Sequence, residues 1–272
     1  MPELPELEGV AQLLDKNIKF MTIKDVSINN ASMLVNIRGF ELKKALRKQT
    51  FVHVERRGKF LIMALHDGNA ILLHLGITGV LQLLPVPNPA MDMNIELCNG
   101  MYLVIGNDHN SESKAGMKLY FTKSEPILSD LGPEPLSPEF NVQWLHEKCQ
   151  RTEMPIKLVL LDQAVTAGIG NFYADYILWE SDVSPISKAN SLSIEALTEI
   201  VNETKAVLSN MTTKSIAVLQ NTDTYNFYTE QKIREGAAIR RSENSTCSCC
   251  SHQMMKVQLG GRDTFYCPYC QM

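Results

Sequence analysis

No run of 18 consecutive apolar residues occurs in this chain of 272 residues. A transmembrane helix is therefore not expected. The N-terminus is acidic and lacks a basic n-region followed by an apolar h-region, so no secretory signal is expected and the chain reads as cytoplasmic. Internal repeats and low-complexity tracts are also missing, which argues against a solenoid or a long disordered tail. A positive charge excess is missing too: the formal net charge is −4, which does not by itself advertise a nucleic-acid partner. Cysteine is sparse over most of the chain (Cys98 and Cys149), yet the other five of the seven crowd into the last 26 residues. In a reducing compartment such a cluster favours metal over disulfides.

What is present is uneven. Residues 39–60 carry Lys43, Lys44, Arg47, Lys48, Arg56, Arg57 and Lys59 against Glu41 and Glu55. Residues 231–262 carry Lys232, Arg234, Arg240, Arg241, Lys256 and Arg262 against Glu235 and Glu243. Either run alone reads as a solvated face; two of them beside a metal module make an anion-binding groove more plausible. The length suggests two domains with a small appendage. Residues 20–125 read as β, with "FMTIKDVSI" alternating and Asn99-Gly100 marking a hairpin. "LGPEPLSPEF" concentrates proline and reads as a linker. Helical patterns follow at 142–150, 155–164, 171–181 and 193–210, with Pro155 and Ser193 as helix starts. Residues 220–243 show no clear period. The class is α+β, divided into an N-terminal β-sandwich domain with a leading helix (1–130), a linker (131–141), a helical domain (142–242) and a cysteine-bearing finger (243–272).

The opening "MPELPELEGV" admits two readings. Pro5 fits the first turn of a helix, Glu6 favours its positive end, and Leu7, Val10, Ala11 and Leu14 form an apolar stripe. That leaves Pro2 unexplained. Trimming of Met1 would make Pro2 the amino terminus, a secondary amine with a pKa of about 8. Such an amine attacks a carbonyl carbon and gives a charged iminium, an electron sink. Glu3 could move the proton this chemistry needs.

Cys247-x2-Cys250, sixteen residues and Cys267-x2-Cys270 make two knuckles suited to one tetrahedral Zn²⁺, with the insert a hairpin bearing Arg262 near its tip. Cys249-x2-His252 offers a rival pair of ligands; Cys247 with Cys250 is favoured because it repeats the other knuckle. Two helical patterns meet at Gly168-Ile169-Gly170-Asn171. That turn either brings backbone N–H groups to a phosphate, with Lys157 one helix earlier adding a contact, or merely reverses the chain. Lys59, in "RRGKFLIMAL", and His74, before a glycine turn, are ordinary in isolation.

In order along the chain, "MPELPE", "RRGK", "HLGITG", "LGPEPL", "IK", "GIGNFYAD" and the four-cysteine finger resemble the formamidopyrimidine-DNA glycosylase and endonuclease VIII family, nearly end to end. "MPELPE" and "LGPEPL" point to the formamidopyrimidine branch. The resemblance implies a helix–two-turn–helix in the helical domain. It also implies a bifunctional glycosylase and abasic-site lyase of base-excision repair. Pro2 would attack C1′ of a damaged nucleotide and Glu3 would serve as acid and base. Lys59 would assist at the lesion, and Arg262 would assist the later elimination. Glu6, His74, Lys157, Gly168, Gly170 and Asn171 would form the DNA-binding set. Cys247, Cys250, Cys267 and Cys270 would hold one structural zinc. The expected partner is damaged DNA, as duplex, bubble or single strand, met by a monomer associated with the nucleoid and not with a membrane.

The chain departs from the family where a flipped nucleotide leaves a void. Met91-Asp92-Met93 replaces His-Asp-His, "NDHNSESKAG" replaces an Arg-Phe wedge, and Ile77 replaces methionine. Lys114 is the only nearby cation on that longer loop. The stretch "TDTYNFYTEQKIREG" also departs from the family's lesion-covering loop. The alternatives are an abasic-site lyase, or a non-enzymatic damage binder, with weakened action on duplexes. A zinc-ribbon protein of translation would explain the cysteines but neither Pro2 nor the glycine turn.

Overall fold

The structure, a computed structural model, describes residues 1–113, 115–122, 128–222, 224–242 and 244–271. Lys114, the cation singled out on the wedge loop, lies outside the described residues.

The chain divides into two units, Met1–Leu128 with Thr212–Arg234, and Ser129–Met211 with Glu235–Met272. The expected partition differs in two respects. Residues 212–234 group with the N-terminal part, and the finger groups with the helical part. The division falls inside one continuous helix.

In the first unit, α1 (Leu4–Ile18) buries Leu4, Leu7, Val10, Ala11, Leu14 and Ile18. At roughly 1.5–3 kcal/mol per large buried side chain, this stripe anchors the helix firmly. Its start is set by the Glu3 backbone N–H, which donates to Glu6 Oε2 at 2.9 Å. Strands β1 (Ile23–Ile28), β2 (Phe51–Arg57), β3 (Phe60–Leu65), β4 (Ala70–His74), β5 (Gly79–Leu84), β6 (Met93–Leu97), β7 (Tyr102–Asn107) and β8 (Lys118–Thr122) follow. They form two antiparallel sheets, β2-β3-β4-β8 and β1-β6-β7-β5, the second extended by β9 (Thr224–Tyr225). This is the expected β-sandwich with a leading helix. β3 and β4 bury Leu61, Ile62, Met63, Ile71, Leu72 and Leu73, so both faces of the central strands are covered.

One short helix interrupts the stretch read as β: α2 (Gly39–Leu46). Its Leu42 and Leu46 are buried, while Lys43 and the following Arg47 pair with Asp25. Arg56 pairs with Glu8 at 3.0 Å. Part of the basic run at 39–60 is thus spent on local ion pairs, as a solvated face would do.

The second unit holds α3 (Val142–Cys149), α4 (Ile156–Leu161), α5 (Asn171–Glu180) and α6 (Ile194–Leu219) as far as Met211. Asn141 caps α3 by accepting from the Trp144 N–H, and Ser193 Oγ accepts from the Ala196 N–H at the start of α6. α6 runs nine residues past the expected end at 210. Its last turns belong to the first unit, where Ser215 and Leu219 are buried against Gly9 of α1. The stretch 220–243, expected to lack regular structure, supplies β9 and α7 (Phe227–Arg234) to the first unit. The finger hairpin is β10 (Met255–Leu259) with β11 (Arg262–Tyr266), closed by Gly260 and Gly261, both at positive φ as a two-residue hairpin turn requires.

Candidate active site and nucleic-acid interface

The amino terminus of the first unit lies in a buried ionic cluster. Pro2 is buried, and Glu3 and Glu6 are 3% and 0% exposed. α7 sends Glu230 and Arg234, one turn apart, into the same place. Arg234 reaches Glu6 Oε1 at 2.9 Å, Glu230 Oε1 at 2.7 Å and Glu3 Oε1 at 3.7 Å. Met1 precedes Pro2 here; its ammonium lies 3.2 Å from Glu230 Oε1, and its carbonyl accepts from Arg234 Nη2 at 3.3 Å. Burial alone would depress the Arg234 guanidinium, but Glu6, Glu3 and Glu230 outweigh it and hold it charged well above its usual range. Burial pushes the Glu230 carboxyl up, while Arg234 and the terminal ammonium pull it down.

Lys59 occupies the two-residue turn Gly58-Lys59 joining β2 to β3, rather than a strand interior. His74 ends β4, with its ring 5.3 Å from that of Phe60 and Lys118 opposite in register. Burial, then the charges of Lys59 and Lys118, hold the imidazole below its ordinary pKa, so it is neutral near pH 7. Beyond it, Gly76 adopts φ +63°, and a Cβ there would meet the carbonyl oxygens of Ala115 and Gly116. The strap 115–116 thereby locks the "HLGITG" turn, and the Ile77 N–H donates to Ala115 O at 2.7 Å.

Asp92, 1% exposed, ties together Asn30, Asn107 and His109. It accepts from Asn30 Nδ2 and from the backbone and side-chain N–H groups of Asn107, and His109 Nε2 sits 2.9 Å away. A cavity of about 680 Å³ opens beside it, lined by Ile77, Thr78, Met91, Asn107, His109 and Asn226 among others. Ile77 is 38% exposed at its edge.

The second unit brings Lys157 and Asn171 together with the finger hairpin. Lys157 is fully buried; its ammonium lies 2.7 Å from Asp175 Oδ1 and donates to Thr264 Oγ1 and Asp263 O. Asn171 Nδ2 donates to Asp263 O at 3.0 Å. Arg241 Nε reaches Asp175 Oδ2 at 2.8 Å. Burial pushes the Asp175 carboxyl up, against the pull of Lys157 and Arg241. Gly168 (φ +96°) gives its N–H to Gln163 Oε1, and Gln163 Nε2 donates to Leu161 O and Ile169 O, so one side chain braces the whole turn. Gly170 caps α5 in extended conformation. Arg262 is exposed at the first position of β11, beside the hairpin tip as expected.

The sulfur atoms of Cys247, Cys250, Cys267 and Cys270 lie within 4.8 Å of one another. The pairs Cys250–Cys267 and Cys247–Cys270 stand 3.4 and 3.9 Å apart. Sulfurs at about 2.3 Å from a tetrahedral ion stand about 3.8 Å apart, so the set fits a closed four-thiolate site. The rival pair lies outside this cluster. Cys249 is exposed, and His252 stacks on Tyr269 at 3.5 Å.

Glu230, Arg234, Asp175 and Asp92 were not among the expected site residues. Only Glu230-x3-Arg234 left a signal, an opposite-charge pair at helical spacing.

A leading helix on a β-sandwich, a helical unit and a four-cysteine finger define a two-part α+β protein. Residues 1–120 match the formamidopyrimidine-DNA glycosylase N-terminal domain, and residues 131–222 match the formamidopyrimidine-DNA glycosylase H2TH domain. The chain is 30% identical to the formamidopyrimidine-DNA glycosylase of Marinobacter nauticus over the whole of both chains. It is 32% identical to that of Shewanella sp. strain MR-4, covering all of this chain and 99% of the relative. The Lactococcus lactis Fpg (MutM), solved in complex with N7-benzyl-Fapy-dG DNA, superposes with a TM-score of 0.87 at 24% identity, over 99% of each chain. MutM from Thermus thermophilus gives 0.80 at 27% identity, over 99% of this chain and 98% of that one. The chain belongs to the formamidopyrimidine-DNA glycosylase family, DNA-binding repair proteins whose curated relatives are DNA glycosylases. Among the described residues no helix is long and apolar enough to cross a membrane.

Proposed function

We propose that this chain is a bifunctional DNA glycosylase and abasic-site lyase that uses Pro2, freed by removal of Met1, as its nucleophile. The observation that carries this reading is the setting of the amino terminus. Pro2 is buried, and the terminal backbone sits among Glu3, Glu6, Glu230 and Arg234 rather than in solvent. A surface terminus would have no need of three carboxylates and a guanidinium. The Pro2 nitrogen attacks C1′ of the damaged nucleotide, the base departs with the bonding pair, and ring opening leaves an iminium. Glu3 serves the proton transfers at the sugar. Lys59, on its turn beside His74, supplies positive charge at the lesion. Arg262 reaches the phosphates next to the lesion and assists elimination.

Asn171 and the Gly168–Gly170 turn hold the backbone from the α5 N-terminus, without sequence preference. Lys157 supports that site from beneath, through Asp175 and Thr264. The four cysteines hold one structural Zn²⁺, which fixes the finger that carries Arg262. The protein acts as a monomer in the cytoplasm, at the nucleoid.

The altered segments around Asp92 favour a specific variant of this reading. Ile77 is short and half-exposed, and His109 is tied to Asp92 where the family inserts an Arg-Phe wedge. Abasic-site cleavage should therefore exceed base excision from intact duplexes. Borohydride trapping tests the proposal. Wild-type protein should give a covalent adduct with an abasic-site oligonucleotide, and Pro2→Gly should give none. A wild-type protein that binds but never traps would refute it.

A further inference from the structure

The group that meets the terminal nitrogen comes from the far end of the first unit. Glu230 Oε1 lies 3.2 Å from the Met1 ammonium and 2.7 Å from Arg234. We infer that Glu230 takes the proton that the N-terminal amine releases before it attacks C1′, an inference that rests on the amine chemistry proposed for Pro2.

Geometry supports it first. The Met1 and Pro2 nitrogens are one residue apart, about 3–4 Å along the backbone. Removing Met1 deletes its ammonium and the carbonyl that Arg234 Nη2 engages. The new ammonium then arises within one residue's length of the same carboxylate. The division of labour among the acids supports it next. Glu6 is committed at both oxygens, Oε2 to the Glu3 N–H and Oε1 to Arg234. Glu3 reaches Arg234 at 3.7 Å. Glu230 Oε1 contacts the amine directly, at 3.2 Å.

Charge and burial supply the driving force. Three carboxylates facing one guanidinium and one ammonium leave a single negative charge in excess when all are ionised. Glu230 is 3% exposed. Arg234 faces it from its own helix, the terminal ammonium and Glu6 from the N-terminal segment, and Tyr225 from β9. Burial makes its carboxylate a better proton acceptor than one in water.

The step balances. The Pro2 ammonium passes one proton to the Glu230 carboxylate. The amine's lone pair forms the N–C1′ bond of an opened abasic sugar as the C1′=O π pair moves to oxygen. That oxygen takes the second nitrogen proton and the one held by Glu230, and leaves as water. The C1′–N bond becomes the iminium. No oxidant or further reactant is needed.

The test uses full-length protein on a single-stranded abasic-site oligonucleotide, with borohydride trapping at single turnover from pH 5.5 to 9 and DNA affinity by anisotropy. Glu230→Gln should bind within about twofold of wild type yet trap at least about tenfold more slowly near pH 6.5. The deficit should narrow above pH 8, where the amine is already unprotonated. Added formate should restore part of the rate. Trapping that matches wild type at every pH, or a deficit of constant size, would overturn the inference. If the glutamine variant does not fold, Glu230→Asp carries the same comparison. The same narrowing deficit supports the role, and a wild-type rate removes it. A wild-type protein that traps normally while the variants do too sinks Glu230 alone; a wild-type protein that never traps sinks the Pro2 chemistry with it.

Discussion

Replacing Asp175 with asparagine should loosen the finger without touching a cysteine. Asp175 is 1% exposed and receives Lys157 at 2.7 Å, Arg241 at 2.8 Å and the Phe265 N–H at 3.3 Å. An asparagine keeps one acceptor and no charge. Lys157, with no exposed surface, is then left as an uncompensated buried cation, which costs about 3–5 kcal/mol. Arg241 suffers less, because it also stacks between Phe172 and Phe265 at 5.6 and 5.4 Å. The loss should be local to the second unit, since Lys157, Asn171 and Arg241 all converge on Asp263 O of the hairpin. Hydrogen exchange of the β10–β11 amides, with urea unfolding alongside, reads it. Affinity for abasic DNA should fall at least tenfold, about 1.4 kcal/mol. The double variant Lys157→Met/Asp175→Leu should recover most of the stability, because an apolar pair needs no compensation. A single variant within about 1 kcal/mol of wild type, or a double variant no better than the single, would refute this reasoning.

Three further outcomes are expected. Serine at Cys247, Cys250, Cys267 or Cys270 should release about one Zn²⁺ per chain and cut DNA affinity, whereas Cys249→Ser should leave metal content by atomic emission unchanged. His74 is held below its ordinary pKa, so the unfolded chain binds more protons than the folded one below about pH 6.5. Wild type should therefore lose stability as pH falls from 7 to 5, and His74→Gln should flatten that part of the urea-midpoint profile; parallel profiles would count against it. Losing ~2.7 kcal/mol of void-filling stabilisation slows duplex processing about a hundredfold, so single-turnover rates on one lesion should be at least as high in bubble or single strand as in duplex. A clear duplex preference would show that other residues do the wedge's work.

Local chemistry made much of this legible in the sequence. The α1 stripe, the Asn99-Gly100 hairpin, the paired cysteine knuckles and Arg262 at the finger tip each rest on residues close together in the chain. What escaped rests on partners far apart. α2 has only eight residues and a face defined by where Leu42 and Leu46 pack. The last turns of α6 look polar, because Ser215 hides a contact made with Gly9 some 200 residues earlier. α7 reads as an unpatterned polar loop until Glu230 and Arg234 meet residues 1–6, more than 220 residues away. Lys157 looked like a surface cation for phosphate; Asp175, in the next helix, draws it inside. Periodicity reports which face of an element is apolar, and it is silent on buried charge whose partner lies on another element.

The claim at the centre of the account is that the chain's own amino terminus does the chemistry. The most direct test reduces the wild-type adduct with borohydride, digests it, and locates the nucleotide-bearing residue by tandem mass spectrometry. The account requires a peptide beginning at Pro2, with the deoxyribose carbon on its nitrogen and Met1 gone. An adduct on Lys59 or any other lysine, or on a terminus that still carries Met1, would contradict it.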